Sequence, residues 1–245
     1  MSNDLTSECQ TMTYWRASRT AFYSFAFALP LLALYELSAL ALNRSDVMGI
    51  RNGADVLLKR VLSLLGLQGL IGFSLLVLLT FLFVVLVTKR RRTVPLHVSY
   101  FGWMFLESAA YAVLFGTVVG SVTGLFFATP DRLGFWPMLV TSLGAGVYEE
   151  LVFRVFLVSV FYVLLRGMLR LPRPLGYVLA AVASALVFSG FHYIGPLGDP
   201  FDVYSFVYRG VAGLVFSGLY ILRGFGITAY THSLYDLLLT MRLLG

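Results

Sequence analysis

Tyr148-Glu149-Glu150-Leu151-Val152-Phe153-Arg154 lies inside an otherwise apolar run over 137–165, long enough to cross a bilayer. Ionisable side chains at 149, 150 and 154 are expensive in that setting and need partners or a task. On a helix, Glu150 and Arg154 are four residues apart, share a face and can pair. Glu149 lies about 100° around the helix from Glu150 and cannot share that arginine equally. One acid is therefore neutralised within its own helix, and the other is left to face a different element.

Across the whole chain, 59% of the 245 residues are hydrophobic and 12% are charged. That is half the charged fraction, about 25%, of a soluble domain, so the chain reads as a helical membrane protein. The net charge of +6 resides in clusters beside apolar spans, above all Lys89-Arg90-Arg91-Arg92. The tendency of basic flanks to stay in the cytoplasm accounts for these clusters, with no nucleic-acid partner. The single cysteine, Cys9, excludes an internal disulfide framework and a cysteine metal cluster.

The expected fold is all-α, a polytopic transmembrane bundle of about seven spans, forming one membrane domain over 1–245. The spans fall at about 21–42, 62 or 70 to 88, 100–128, 137–165, 175–193, 203–222 and 227–244. An uncleaved first span is preferred to a signal peptide ending at Ala39-Leu40-Ala41, because the run is long and Glu36 interrupts it. The mixed segment 43–60 reads as an amphipathic helix on the membrane surface or as an ordered loop. His97 reads as a surface histidine. Gly116, Gly120 and Gly124 offer a smooth packing face. Glu36, Glu107 and Arg209 are intramembrane charges for which mutual pairing is the default expectation.

Two later spans also carry polar residues at helical spacing. Phe188-Ser189-Gly190-Phe191-His192 puts an aromatic and a histidine on one face, and His232-Ser233-Leu234-Tyr235-Asp236 does so for a histidine and a carboxylate. Glu149, His192 and His232 on three converging helices can activate a water or hold a metal. The span ends place the two histidines at depths differing by over about 10 Å, which calls for broken or tilted helices, with Gly190, Gly195 and Gly226 as candidate points.

Glu-Glu-x-x-x-Arg, then Phe-x-x-x-His, then His-x-x-x-Asp, in that order on three spans, resembles the CAAX-processing and bacteriocin-processing family of intramembrane proteases. These are the type II CAAX prenyl endopeptidases and their bacterial relatives, also called the abortive-infection family. The resemblance covers a motif-bearing core at about 137–245 and leaves the spans at about 20–128 without a motif. It implies Glu149 as the catalytic acid, His192 as the water-orienting histidine, and His232 with Asp236 stabilising the oxyanion. Glu150 and Arg154 then form a structural ion pair, and Phe188 is the motif aromatic. Asparagine is common at the last position; a carboxylate at Asp236 repels an oxyanion unless protonated, or else orients His232.

The reading that follows is an intramembrane endopeptidase whose last four spans enclose a Glu/His-activated water. Its substrate is a membrane-anchored segment such as a prenylated C-terminus or a bacterial precursor peptide. Ser189 and Ser233 adjoin the histidines but point away from them on a helix. No cofactor is favoured, since the chain lacks an HExxH helix. Zinc held by Glu149, His192 and His232 is the competing account. A proton-coupled transporter or a non-enzymatic scaffold could also bury such residues. No inverted repeat supports the transporter, and the complete motif set counts against the scaffold.

Basic residues Arg16, Arg19, Lys89 to Arg92, Arg166 to Arg173 and Arg223 fall on one side, while the loop at 194–202 carries two acids and no base. A bacterial plasma-membrane protein with a cytoplasmic N-terminus fits this pattern. In a Cys9→Ser background, Thr93→Cys and Asp199→Cys are therefore expected to react with a membrane-impermeant thiol reagent from opposite sides of the bilayer. Labelling of both from the same side refutes this topology.

Overall fold

The computed structural model describes residues 13–42, 52–64, 70–91, 95–123, 135–195 and 198–241. Among these, nine helices and no strand are found. They are α1 (Tyr14–Ala17), α2 (Ala21–Leu42), α3 (Gly53–Leu64), α4 (Leu70–Arg91), α5 (Val98–Thr123), α6 (Phe135–Leu169), α7 (Arg173–Phe191), α8 (Val203–Arg223) and α9 (Phe225–Thr240). Six of them, α2 and α4 to α8, are long and apolar enough to cross a membrane. The protein is an integral membrane helix bundle. The seventh expected span is α9, which at 16 residues is about 24 Å long.

Helix α9 occupies the middle of the bundle. Phe225, Gly226, Ile227, Thr228, Ala229, Thr231, His232, Ser233 and Tyr235 are all buried, and the helix packs on α2, α5, α6 and α8. Small residues permit this in the absence of a hydrophobic drive between membrane helices. A methyl group on Gly226 would lie 2.6 Å from the Ser24 carbonyl oxygen, and one on Gly146 would collide with Ala229 and Ser233. A single residue, Gly224, joins α8 to α9, and its φ of 82° is open to glycine with little cost. The face of α5 that packs on α8 and α9 is formed by Ala112, Phe115 and Val119, with Phe115 stacked on Phe216 at 4.0 Å between centroids. Gly116 is only half-buried, so packing here runs along a neighbouring stripe; Gly124 lies outside the described residues.

The expected mutual pairing of Glu36, Glu107 and Arg209 is corrected, because each takes a different partner. Glu107 binds Arg223 through two contacts of 2.5 and 2.7 Å and accepts from the Tyr14 hydroxyl. Arg223, expected as a basic flank, is buried, with its guanidinium 3.7 Å from the Trp15 ring centroid and bonded to Ser18 Oγ at 2.9 Å. Burial, and then the Glu107 carboxylate, push the Tyr14 phenol well above its usual value, so it remains a donor. Arg209 pairs with Asp199 at 2.6 Å. Glu36 accepts from the hydroxyls of Ser74 and Tyr148 and lies 3.9 Å from Lys59 Nζ.

Segment 43–60 lies partly outside the described residues, but its second half forms α3, the amphipathic helix of the first expectation. The helix turns a polar stripe inward: Asp55 and Lys59 are buried and pair at 2.7 Å. Spacing alone treats a charged stripe as solvent-facing, whereas here the neighbouring helices supply acid and hydroxyl partners. His97 is exposed, beside Tyr100.

Breaking the Glu107–Arg223 pair leaves one charge buried alone. Arg223→Ala is expected to lower stability by about 3 kcal/mol or more, read as a fall in the detergent melting temperature. The double replacement Glu107→Leu with Arg223→Met is expected to recover most of that loss.

Candidate active site

From Ala145 to Val158, α6 is wound as a π-helix, continuous with α-helical turns on both sides. This is longer than the single-turn π-bulges that often mark functional sites. The stretch buries Tyr148, Glu149, Glu150, Phe153 and Arg154 together. The 100° offset expected for an α-helix therefore does not apply here, and both glutamates reach α9.

Glu150 ties two helices together. Its Oε1 accepts from His232 Nδ1 at 2.7 Å and lies 3.2 Å from Arg154 Nη1. The second contact is an ion pair without hydrogen-bond alignment, and the guanidinium nitrogens have no hydrogen-bond partner among the described residues. Aromatic faces take their place: the guanidinium carbon is 4.4 Å from the Phe188 centroid and 5.5 Å from that of Phe216. Desolvated cation–π contacts of this kind are worth about 2 kcal/mol. Phe188 thus covers the arginine.

Glu149 is buried and accepts from Asn52 Nδ2 at 2.8 Å. Its Oε2 lies 3.9 Å from His232 Nε2, which is also 3.5 Å from Asp236 Oδ2. With Nδ1 held by Glu150, the His232 ring is stacked on Phe216 at 4.3 Å and presents Nε2 to the gap between the two carboxylates. His192 is the residue after the last turn of α7. Its Nδ1 donates to the Phe188 carbonyl at 2.9 Å, leaving Nε2 for another partner. It lies near Glu149, as His232 does. Helix α7 stops at Phe191, and α9 sets His232 against the π-wound stretch.

Ser189 donates its hydroxyl to the Phe206 carbonyl at 2.6 Å, and Ser233 lies against Gly146. Neither is placed as a nucleophile for the histidines. Among the described residues, no group of three or more His, Cys, Asp or Glu side chains is arranged to hold a metal ion.

Nothing in the sequence singles out Asn52 as a site residue. Asn-Gly ahead of an amphipathic run signals a helix N-cap, and it gives no indication of contact with residue 149.

Residues 130–238 match the model of a family described as type II CAAX prenyl endopeptidase Rce1-like. The match takes in Glu149, Glu150, Arg154, Phe188, His192, His232 and Asp236, and leaves α1 to α5 outside. No curated protein and no solved structure matches the chain. At the level of the family, the match supports an intramembrane endopeptidase.

The two glutamates are expected to separate by stability. Glu150→Ala strands both Arg154 and His232 and is expected to cost about 3 kcal/mol or more. Glu149→Gln keeps an oxygen for Asn52 and is expected to cost about 1 kcal/mol or less. Melting curves of the purified variants in detergent check this ordering, and the reverse order overturns the assignment.

Proposed function

Given the Rce1-like region, we propose that the protein hydrolyses a peptide bond of a membrane-anchored substrate with a water activated by Glu149. The observation that carries this reading is the carboxylate of Glu149 facing His232 Nε2 across 3.9 Å inside an apolar bundle. That gap is wider than a hydrogen bond and suits a water or a carbonyl oxygen between the two groups. Glu149 removes a proton from the water, and the resulting hydroxide attacks the scissile carbonyl carbon. His192 holds the same water through Nε2. As negative charge develops on the carbonyl oxygen, His232 donates to it from Nε2, a contribution of about 10²–10³ in rate for one such donor. The C–N bond then breaks, and the proton on Glu149 passes to the leaving amine.

Asp236 acts through His232 in this scheme, holding the ring from the side opposite Glu150. The role of Glu150 and Arg154 is to fix His232 and to cancel each other's charge within the π-wound stretch. Substrates are prenylated C-termini or bacterial precursor peptides that enter from the bilayer, in a bacterial plasma membrane with the N-terminus in the cytoplasm. A proton-coupled transporter would use the same buried acids and histidines but would leave peptides intact.

Purified protein in detergent, incubated with a panel of membrane-anchored precursor peptides, tests the proposal. Glu149→Gln, His192→Ala and His232→Ala are each expected to abolish cleavage while retaining a folded melting transition. Activity is expected to survive exhaustive chelation. Loss on chelation with recovery by zinc overturns the metal-free mechanism, and full activity in Glu149→Gln overturns the assignment of the base.

A further inference from the structure

Every polar group of Asn52 is engaged, and each engagement has a direction. Its backbone carbonyl accepts from Val56 N–H at 3.1 Å, starting α3, and its Oδ1 accepts from Ala54 N–H at 2.8 Å as a helix cap. Because Oδ1 faces a backbone donor, Nδ2 must be the atom facing Glu149 at 2.8 Å. The Asn52 backbone N–H donates to the Tyr35 hydroxyl at 3.3 Å.

The cap is in turn held by a buried polar cluster that the proposed reaction does not use. Tyr35 donates to Asp55 Oδ2 at 2.8 Å, and Asp55 binds Lys59 at 2.7 and 2.9 Å. Lys59 reaches Glu36, which accepts from Tyr148, the residue before Glu149. The loop closes on the π-wound stretch from two sides. Space for it comes from Gly144, where a methyl group would lie 2.5 Å from the Tyr35 ring and 2.8 Å from Asn52 Cβ. Five charged or phenolic side chains buried to fix one helix end are a large commitment in an apolar bundle. The atom they deliver to the site is Asn52 Nδ2.

We propose that Asn52 is a positioning residue for Glu149, holding its carboxylate by one oxygen so that the other faces His232 and the water. This rests on Glu149 being the base. An amide donor is suited to the task because it favours the ionised carboxylate without carrying a charge of its own. Asn52, which caps α3, lies outside the stretch matched by the family model.

Asn52→Asp keeps an oxygen to cap Ala54 but replaces the donor to Glu149 with a second acidic oxygen, so Asn52→Ala, which removes the donor without adding a charge, is measured beside it. In the full-length protein, cleaving a membrane-anchored reporter peptide, kcat is expected to fall roughly 10- to 100-fold. KM is expected to stay within about two-fold, since no substrate contact is lost. Asn52→Ala is expected to give a similar fall in kcat, with some loss of melting temperature from the missing cap. Lys59→Met loosens the anchor and is expected to lower kcat less, and combined with Asn52→Ala to add little further loss. Wild-type kcat in Asn52→Asp, alongside a dead Glu149→Gln, overturns this inference and leaves the base assigned. A fall in activity that only tracks the folded fraction, or a rise in KM at constant kcat, also overturns it. Full activity in Glu149→Gln instead removes the reading on which it rests.

Discussion

The contact on which the rest of the site depends is the one between Glu150 and two partners from different places, Arg154 one turn along and His232 on α9. A carboxylate left alone in this interior would be too costly to keep ionised. Shared between a guanidinium and an imidazole, it becomes the joint between α6 and α9, and it fixes which ring nitrogen of His232 points away. Phe188 and Phe216 close around the guanidinium and the imidazole and keep water from competing. Glu149, next in the chain, is thereby relieved of structural duty and faces the gap beside Nε2.

Much of this was legible in the sequence, because it depends on spacing. The long apolar runs mark the membrane helices to within a few residues, since each exceeds what a soluble helix needs to bury. Charges at 150 and 154 predicted their own pairing, and the resemblance to an intramembrane protease family gathered 149, 192, 232 and 236 into one site. What stayed hidden depends on contacts between distant segments. The partners of Glu107, Arg209 and Glu36 come from 116, 10 and 38 or 112 residues away and are not set by any period. The π-winding of 145–158 left no mark that propensity can detect.

The inward-facing stripe of α3 illustrates the same limit. Asp55, Lys59 and Asn52 have the composition of a solvated helix face, and their pattern gives no sign of the acceptors waiting on α2 and α6. Only with Tyr35, Glu36 and Glu149 in place does the stripe become a buried clasp. A polar residue in a membrane protein is therefore poorly classified by its own neighbours in sequence; its environment is decided by what its helix meets.

The central place of α9 also bears on how the chain is made. A ribosome delivers helices in order, so α6 enters the bilayer with Glu149, Glu150 and Arg154 before α9 exists to meet them. A carboxylate at mid-membrane costs about 2.5–3.5 kcal/mol on insertion. The arginine one turn from Glu150 supplies a partner from within the same segment at that moment, when no other is on hand. His232 arrives only after α7 and α8 have been laid down, when α9 packs against α2, α5, α6 and α8 along its glycine contacts. Until then Glu149 lacks the His232 Nε2 that faces it, so a half-made chain lodged in the membrane carries an incomplete site.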